Sequence, residues 1–531
     1  MFSKQTLALK NTSLFTGLFN DYINAEEKVK PFYQFHINKQ AYQSYLDKNR
    51  FETVNRPVLV KALSRQAKLV ENTYPATWDH IGLLEDSKTF TITTGHQLCL
   101  FTGPLYFIYK IASTINLAKT LKEQFPDKNF VPVYWMASED HDFEEINHIN
   151  TFGKKITWNS SQKGSVGEFS TEGLQEVIQE LKTILGESDH AKALSAVFEH
   201  AYLKHTNLAD ATRFLVNELF GEYGLVTLDG NDTELKHLFK EELRKDIFEN
   251  SSFNAVNKTI AELKPDYTVQ VNPREINIFY KENQLRERIE KDGEGFKVLN
   301  TSITFTKEAL NTLIDTNPEK LSPNVVLRPL YQQKILPNIA YVGGPGEIAY
   351  WLEYKHLFEV YHIALPVLMP RNFVMLMDKG TQGKLQKLNL GAEDTFKDGE
   401  ELIKQFIKSH NDINLEDIKA QLAAIYANVL ETVSGVDKTL AGTAEAEKQK
   451  AVNGIANIEQ KINRALKQKS ENDVNQIWAV KGKLFPNNVP QERYDNFSMY
   501  YVKYGNNFIK ELMPLLGYDL NTFNYTVLLE N

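Results

Sequence analysis

The chain has one cysteine, Cys99, among 531 residues, so no intramolecular disulfide can form and no cysteine-based zinc cluster can be built. It has no basic excess either: 60 Lys and Arg stand against 68 Asp and Glu, a formal charge of −8. A general nucleic-acid binder needs a net basic face to displace counterions, so that class is set aside, while a local basic patch stays open. No run approaches the roughly 18 apolar residues of a membrane span. The opening "MFSKQTLALKNTSLFTGLFNDY" lacks the apolar core and cleavage site of a signal peptide. A cytoplasmic protein with no membrane or nucleic-acid partner is therefore expected. Internal repeats, low-complexity tracts and the G-x-G-x-x-G spacing are also missing.

What is there is ordinary globular composition, 42% hydrophobic and 24% charged, in a chain too long for one simple core. Five short apolar runs, 90–94, 130–137, 223–230, 339–344 and 364–370, read as buried strands, most of them followed by a turn signal and a helical pattern. That alternation predicts an α/β fold with a Rossmann-like parallel sheet, whose ligands gather at the carboxyl ends of strands. Residues 1–88 read mostly as polar-faced helices packed on the core, including "NKQAYQSYLDKN" and "RPVLVKALSRQAKLVENTY". The core is expected over 89–150, 205–265 and 319–378. Segments 151–204 and 266–318, with hairpin-like pieces such as "KKITWN" and "REINIFYKENQLRERIE", read as insertions.

Beyond Asp378 the pattern changes. Ile418, Leu422, Ile425, Val429, Val433, Val436 and Leu440, and later Ala451, Ile455, Ile458, Ile462 and Ala465, recur at spacings of three and four. Two long helices in an antiparallel coiled coil over 379–475 are predicted, with "AGTAEAEKQK" between them. Two ordinary helices packed on the core are the alternative. Residues 476–531 return to aromatic-rich globular sequence.

Three segments could carry chemistry. In "TGHQLCLFTGPLYFIYK", Thr94 ends a strand and Gly95 directly follows it, where the backbone must turn sharply and can approach a ligand. Thr102, Gly103 and Pro104 read as the opening of a helix, with Thr102 as cap and Pro104 in the first turn, and such a start can seat a phosphate or carboxylate. His96, Gln97, Thr102, Tyr106 and Lys110 supply further polar groups. The bland alternative is a well-capped crossover. Cys99, flanked by Leu98, Leu100 and Phe101, reads as inert packing.

The second segment, "WMASEDHDFEEINH", puts five carboxylates and two imidazoles behind an apolar run. Ser138, Glu139, Asp140, His141 and Asp142 could bind hydroxyls or an ammonium group. If a helix starts near Asp142, then His141, Glu145 and His148 could face a divalent metal, although none is assigned; a solvated acidic helix start is the third reading. A histidine beside carboxylates would be a general base with a raised pKa. The third segment runs "NVVLRPLYQQKILPNIAYVGGPGEIAYWLEYK". Gly343, Gly344 and Gly346 around Pro345, ahead of Glu347, read as another anion-facing turn. Arg328 is a carboxylate or phosphate clamp or else a structural ion pair. Tyr341 and Trp351 stand nearby and are more often core.

Together with the late "PQERYDNF", these segments closely resemble the BshC cysteine ligase family of bacillithiol biosynthesis, in order and over most of the chain. The resemblance implies a Rossmann-like core with inserted connective segments and a coiled coil supporting a homodimer. It implies that cysteine is joined to the amine of glucosaminyl-malate, and that an adenine nucleotide, ATP or its product ADP, is bound. The family is distantly similar to class I aminoacyl-tRNA synthetases and other nucleotidyl transferases. On that comparison Gly95, His96 and Gln97 through Pro104 take the place of the HIGH-type motif, and Asp140, His141 and Asp142 that of polar residues at the second strand's end. The first motif has one histidine only, and "KGTQGK" is a poor KMSKS loop. Amide formation from a carboxylate needs activation, so ATP coupling, with magnesium as companion, is expected. The rival expectations are a nucleotide-dependent transferase acting on another small amine or acid, and a non-catalytic assembly factor that senses a metabolite.

Overall fold

The computed structural model describes residues 1–48, 51, 53–409 and 415–531. Asn49, at the end of one expected helix, and 410–414, within the expected helical interval, lie outside the described residues. The chain divides into two compact units, Met1–Met375 with Gln491–Thr526, and Leu376–Pro490 with Val527–Asn531.

In the first unit all five apolar runs form strands: β1 (Thr89–His96), β2 (Asn129–Met136), β3 (Val226–Asp229), β4 (Asn338–Gly343) and β5 (Val367–Pro370). They lie side by side in the order β5-β4-β1-β2-β3, all parallel. The order reverses between β1 and β4, because the chain builds outward from β1 on one side and then returns to its other side. A crevice opens at the carboxyl ends of those two strands, where ligands of such sheets bind. Every residue of β1 is buried, including its threonines. Thr91 and Thr93 are accommodated because both hydroxyls donate to the side-chain oxygen of Asn338, at 3.1 and 2.7 Å.

Three helices frame the crevice: α1 (Tyr106–Gln124), which crosses from β1 to β2, α2 (Arg328–Ile335) before β4, and α3 (Pro345–Leu352) after it. The hairpin His148–Thr151 with Lys154–Thr157 leads into the first insertion from three residues before its expected start, and two helices follow. The second holds most of an antiparallel five-stranded sheet with the order 304–305, 295–298, 285–292, 278–282, 321–323. The expectation that residues 1–88 are mostly helical needs one correction: Phe2–Ala8 is a strand.

In the second unit, α4 (Glu416–Val436) and α5 (Ala441–Lys469) form an antiparallel pair, with Lys419 near the start of one 2.7 Å from Glu459 well along the other. The break falls at Asp437–Leu440 rather than at "AGTAEAEKQK", which forms the first turns of α5. Alanine, glutamate, lysine and glutamine are strong helix formers, and nothing in that stretch stops a helix. A separate core of Leu388, Leu402, Ile403, Phe406, Ile407, Val474 and Ile477 stabilises this unit.

Candidate functional site

A cavity of about 700 Å³ occupies the crevice at the β1/β4 switch. Its floor is the end of β1. Gly95 is needed there for space rather than for a sharp turn. It lies within the strand, and a Cβ would stand 3.2 Å from the Tyr341 hydroxyl and 3.6 Å from Nη1 of Arg328. His96 follows, buried, with Nδ1 2.9 Å from its neighbour Gln97's carbonyl oxygen. Nδ1–H donates in that contact, which leaves the Nε2 lone pair, and Nε2 is buried without a partner among the described residues. Burial, with Lys110 and Arg371 nearby, holds the imidazole down at about 4, so it is neutral at pH 7.

Gln97 joins the first two motifs. Its amide nitrogen donates to Asp140 at 2.9 Å and Glu145 at 2.7 Å, and all three side chains line the cavity. Asp140 also accepts from the backbone N–H of His141, at 2.7 Å. Glu139 pairs with the fully buried Lys236 at 2.7 Å; burial opposes its charge, but Lys236 and Lys281 outweigh it and hold its carboxyl below the ordinary range.

His141 corrects the expectation of a raised pKa. Burial and the Arg286 guanidinium, which donates to Nδ1 at 2.6 Å, lower its pKa more than Asp140, Asp142 and Glu287 raise it. The metal-facing helix is corrected too: it spans only Phe143–Ile146, and His148 begins a strand. Among the described residues no three His, Cys, Asp or Glu side chains converge as metal ligands.

The third motif enters through Glu347 on α3. Its carboxylate accepts from Lys110 at 2.7 Å, from the Tyr341 hydroxyl at 2.6 Å and from the Gly344 N–H at 2.9 Å. Burial opposes the charge and Lys110 sustains it, so Glu347 sits below its ordinary range. Lys110 donates to the Gly95 carbonyl as well. Lys110 and the Gly344 turn therefore serve each other through Glu347, which spends donors that the sequence offered to a ligand. Tyr341 stacks on Trp351 with ring centres 4.4 Å apart. Arg328 faces the cavity with Gln332 as its hydrogen-bond partner at 3.1 Å and, among the described residues, no carboxylate within ion-pair distance.

Of the expected residues, Gly95, His96, Gln97, Tyr106, Lys110, Glu139, Asp140, His141, Arg328, Tyr341, Gly344, Gly346 and Glu347 line the cavity. Thr94, Thr102, Gly103, Pro104, Ser138, Asp142 and Gly343 do not. Thr94 donates to the Val342 carbonyl at 2.8 Å, and Ser138 donates to Asp229. The Thr102 cap is also corrected, because α1 starts at Tyr106 with no side-chain cap. Phe101, Thr102 and Gly103 all have positive φ, and a Cβ on Gly103 would lie 2.6 Å from that of Cys99. This turn is held from far along the chain: Asn496 donates to the carbonyls of Phe101 and Gly103 at 2.9 and 2.6 Å, and the Asp495 carbonyl accepts from the Leu105 N–H at 2.7 Å. "PQERYDNF" thus clamps the first motif. Cys99 is buried and its thiol pushed up to about 12, in keeping with inert packing.

Sequence reading missed the arginines. Arg274, Arg286, Arg288, Arg371 and Arg493 line the cavity along with Arg328. Arg286 and Arg288 are two apart on a strand and so share a face, a signal present in "LRERIE". Arg371 is paired with Glu492, both buried, at 2.7 Å, and its Nε is buried without a partner among the described residues. Arg274, Arg288, Arg328 and Arg493 have no acidic partner in ion-pair contact among the described residues. A chain of charge −8 therefore concentrates cations at one crevice. That arrangement suits a ligand with several negative charges.

Comparison with known proteins follows this geometry. Residues 2–372 match the family model described as the bacillithiol biosynthesis BshC N-terminal Rossmann-like domain, and 374–526 match the BshC C-terminal coiled-coil domain. Relatives named "Putative cysteine ligase BshC" include one from Flavobacterium psychrophilum, 43% identical over 98% of each chain. Others come from Flavobacterium johnsoniae, 43% identical over 96% of each chain, and Christiangramia forsetii, 41% over 96% of each. A solved structure titled a putative arginyl-tRNA synthetase from Campylobacter jejuni aligns over 86% of this chain and 99% of that one, at 10% identity and a TM-score of 0.22, a likeness that carries no argument. With both of its parts matched and its relatives alike end to end, the chain belongs to the BshC family of bacillithiol biosynthesis.

Proposed function

We propose that the chain is a ligase that joins the carboxyl group of cysteine to the amine of glucosaminyl-malate, with ATP as activating co-substrate. The observation that carries this reading is the set of arginines without acidic partners at the β1/β4 crevice, Arg274, Arg288, Arg328 and Arg493. ATP phosphates and malate carboxylates are polyanions, and planar guanidinium forks bind their oxygens in pairs. ATP supplies a phosphoanhydride whose cleavage makes the cysteine carboxylate electrophilic; the amide forms as a carboxylate oxygen leaves with phosphate or AMP. Arg328 and the unpartnered Nε of Arg371 hold anionic groups. The Nε2 lone pair of His96 accepts from an N–H or S–H of the bound substrates. Asp140 is the carboxylate at hand for the proton that the attacking amine gives up.

Exposed Ile418, Ile425, Val429, Val436 and Ile458 on α4 and α5 support self-association as a homodimer through these helices. A cytoplasmic setting, where ATP and cysteine are supplied, goes with the same reading. No helix among the described residues is long and apolar enough to cross a membrane.

The test is direct. Purified protein, ATP, magnesium, cysteine and glucosaminyl-malate should yield bacillithiol by mass spectrometry, and its absence defeats the reading. AMP among the products indicates an adenylate route, and ADP an acyl phosphate. Sedimentation of the full chain should show a dimer that dissociates when Ile425 and Val429 become glutamate.

A further inference from the structure

We propose that Arg286 is a positioning residue that fixes His141 as a neutral hydrogen-bond donor toward the ligand and so removes it from proton abstraction. A guanidinium has donors only, so the 2.6 Å contact from Nη1 requires Nδ1 of His141 to offer its lone pair. The ring proton then sits on Nε2. The guanidinium is not free to turn away. Its Nε donates to Ser322 Oγ at 3.1 Å, its Nη2 points to the Pro323 carbonyl at 3.5 Å, and its central carbon lies 3.9 Å from the centre of the Phe279 ring. Those partners come from two strands of the inserted sheet, 278–282 and 321–323.

Arg286 is 8% exposed, whereas the His141 side chain is 48% exposed and lines the cavity. Asp140 and Asp142 stand beside the imidazole on its own turn, with Asp140 Oδ1 3.9 Å from Nδ1, and Glu287, next to Arg286 on the opposite face of its strand, adds a longer-range negative charge. These carboxylates would favour the imidazolium. Arg286 opposes them at shorter range and occupies the one atom that a neutral ring could use as a base. The inserted sheet thereby sets the hydrogen-bond polarity of a side chain on the Rossmann-like core. His141 presents Nε2–H to an acceptor, a hydroxyl, carboxylate or carbonyl oxygen of substrate. Only this last step, the acceptor, rests on the proposed ligase reading; the tautomer rests on the geometry alone.

Two arms test it on the full chain. In nitrogen-15 histidine spectra, with His141 assigned by its loss in His141→Gln, the wild-type ring should be neutral with its proton on Nε2 at pH 7. Arg286→Met should give a mixture of tautomers and a titration midpoint shifted up toward the ordinary value, and Arg286→Lys, which can still donate, should keep most of the Nε2–H form. A proton on Nδ1 in the wild type, or identical spectra in the wild type and Arg286→Met, overturns the proposal. In the ligase assay, His141→Gln keeps a donor near the Nε2 position but cannot act as a base. It should retain a rate within about tenfold of wild type while His141→Phe falls further; loss of a general base costs roughly 10²–10⁴-fold. A Gln variant as poor as Phe overturns the donor role. If no variant and no wild type makes product, the ligase reading has failed, and the spectra still decide the tautomer.

Discussion

The amide nitrogen of Gln97 lies 2.9 Å from Oδ2 of Asp140 and 2.7 Å from Oε2 of Glu145, which ties the end of β1 to the acid-rich turn after β2. One side-chain amide donates to two carboxylates and holds them on the same wall of the cavity. Two segments separated in sequence thus become one surface.

Gln97→Leu should leave that surface unjoined. Both carboxylates reach solvent, so the cost in stability should be only about 1 kcal/mol. Misplacement of the turn should lower kcat/KM in the ligase assay on the order of 10²-fold. A large fall in Tm with unchanged kcat/KM would show that Gln97 supports the fold and not the site.

Gly95→Ala probes the floor. The backbone lies in a strand that alanine can adopt, so stability should fall only by what the crowding against Tyr341 costs, about 1 kcal/mol. The added methyl, 3.2 Å from the Tyr341 hydroxyl and 3.6 Å from Arg328 Nη1, should weaken ATP binding roughly tenfold, about 1.4 kcal/mol. Calorimetric titration of both proteins with an ATP analogue measures this.

Glu492→Gln should be among the most destabilising single changes in the first unit. Arg371 and Glu492 are each 3% exposed, and removing one partner of a buried pair costs about 3–5 kcal/mol. Glu492 also accepts from the Val374 N–H at 3.0 Å. Denaturant unfolding should show the loss, and the double variant Arg371→Met with Glu492→Met should recover part of it.

Two buried groups give opposite pH dependences. Burial raises Asp246 to about 6 from an unfolded value near 3.8, so the folded state binds the extra proton and stability falls as pH rises from about 4 to 6. His96, held down at about 4 against 6.5 unfolded, contributes stability that is present above pH 6.5 and lost as pH falls toward 4. Each is worth on the order of 3 kcal/mol, and over the shared window they largely cancel. Asp246→Asn should therefore expose a steeper acid-side loss, and His96→Gln a shallower one, in unfolding measured from pH 4 to 7.

Cys99 should resist a disulfide-exchange reagent in the folded protein and react fully once denaturant unfolds it, because its thiol is buried and protonated. Rapid reaction in native buffer would contradict its packed setting.

Most of the core strands were legible because they are short, nearly continuous apolar runs, a pattern imposed by a sheet covered on both faces, while β1 interleaves threonines with Phe90 and Ile92. The Thr102 cap was not legible. Its three successive positive φ values depend on Asn496, which lies 393 residues beyond Gly103. Local turn chemistry cannot report so distant a clamp. The break between α4 and α5 was misplaced because small residues suggested a turn where alanine propensity prevailed. Lys110 and Glu347 were each read as facing a ligand; only proximity reveals that they face each other. The sign of the His141 shift was missed for the same reason, since its neighbours in sequence are acids and its neighbour in space is Arg286. Arg286 and Arg288 could have been found by asking which face of their hairpin they share. Arg371 and Arg493 carry no such local pattern.

Residues 491–526 belong to the same compact unit as residues 1–375, although residues 376–490 of the helical unit are translated between them. During synthesis, Arg371 leaves the ribosome long before Glu492 exists to neutralise it, and the Phe101–Gly103 turn must wait for Asn496. A nascent chain stopped anywhere before position 491 would keep its sheet-forming segments yet own a half-built crevice with an uncompensated guanidinium inside it. The crevice is therefore completed only after residues 491–526 have emerged.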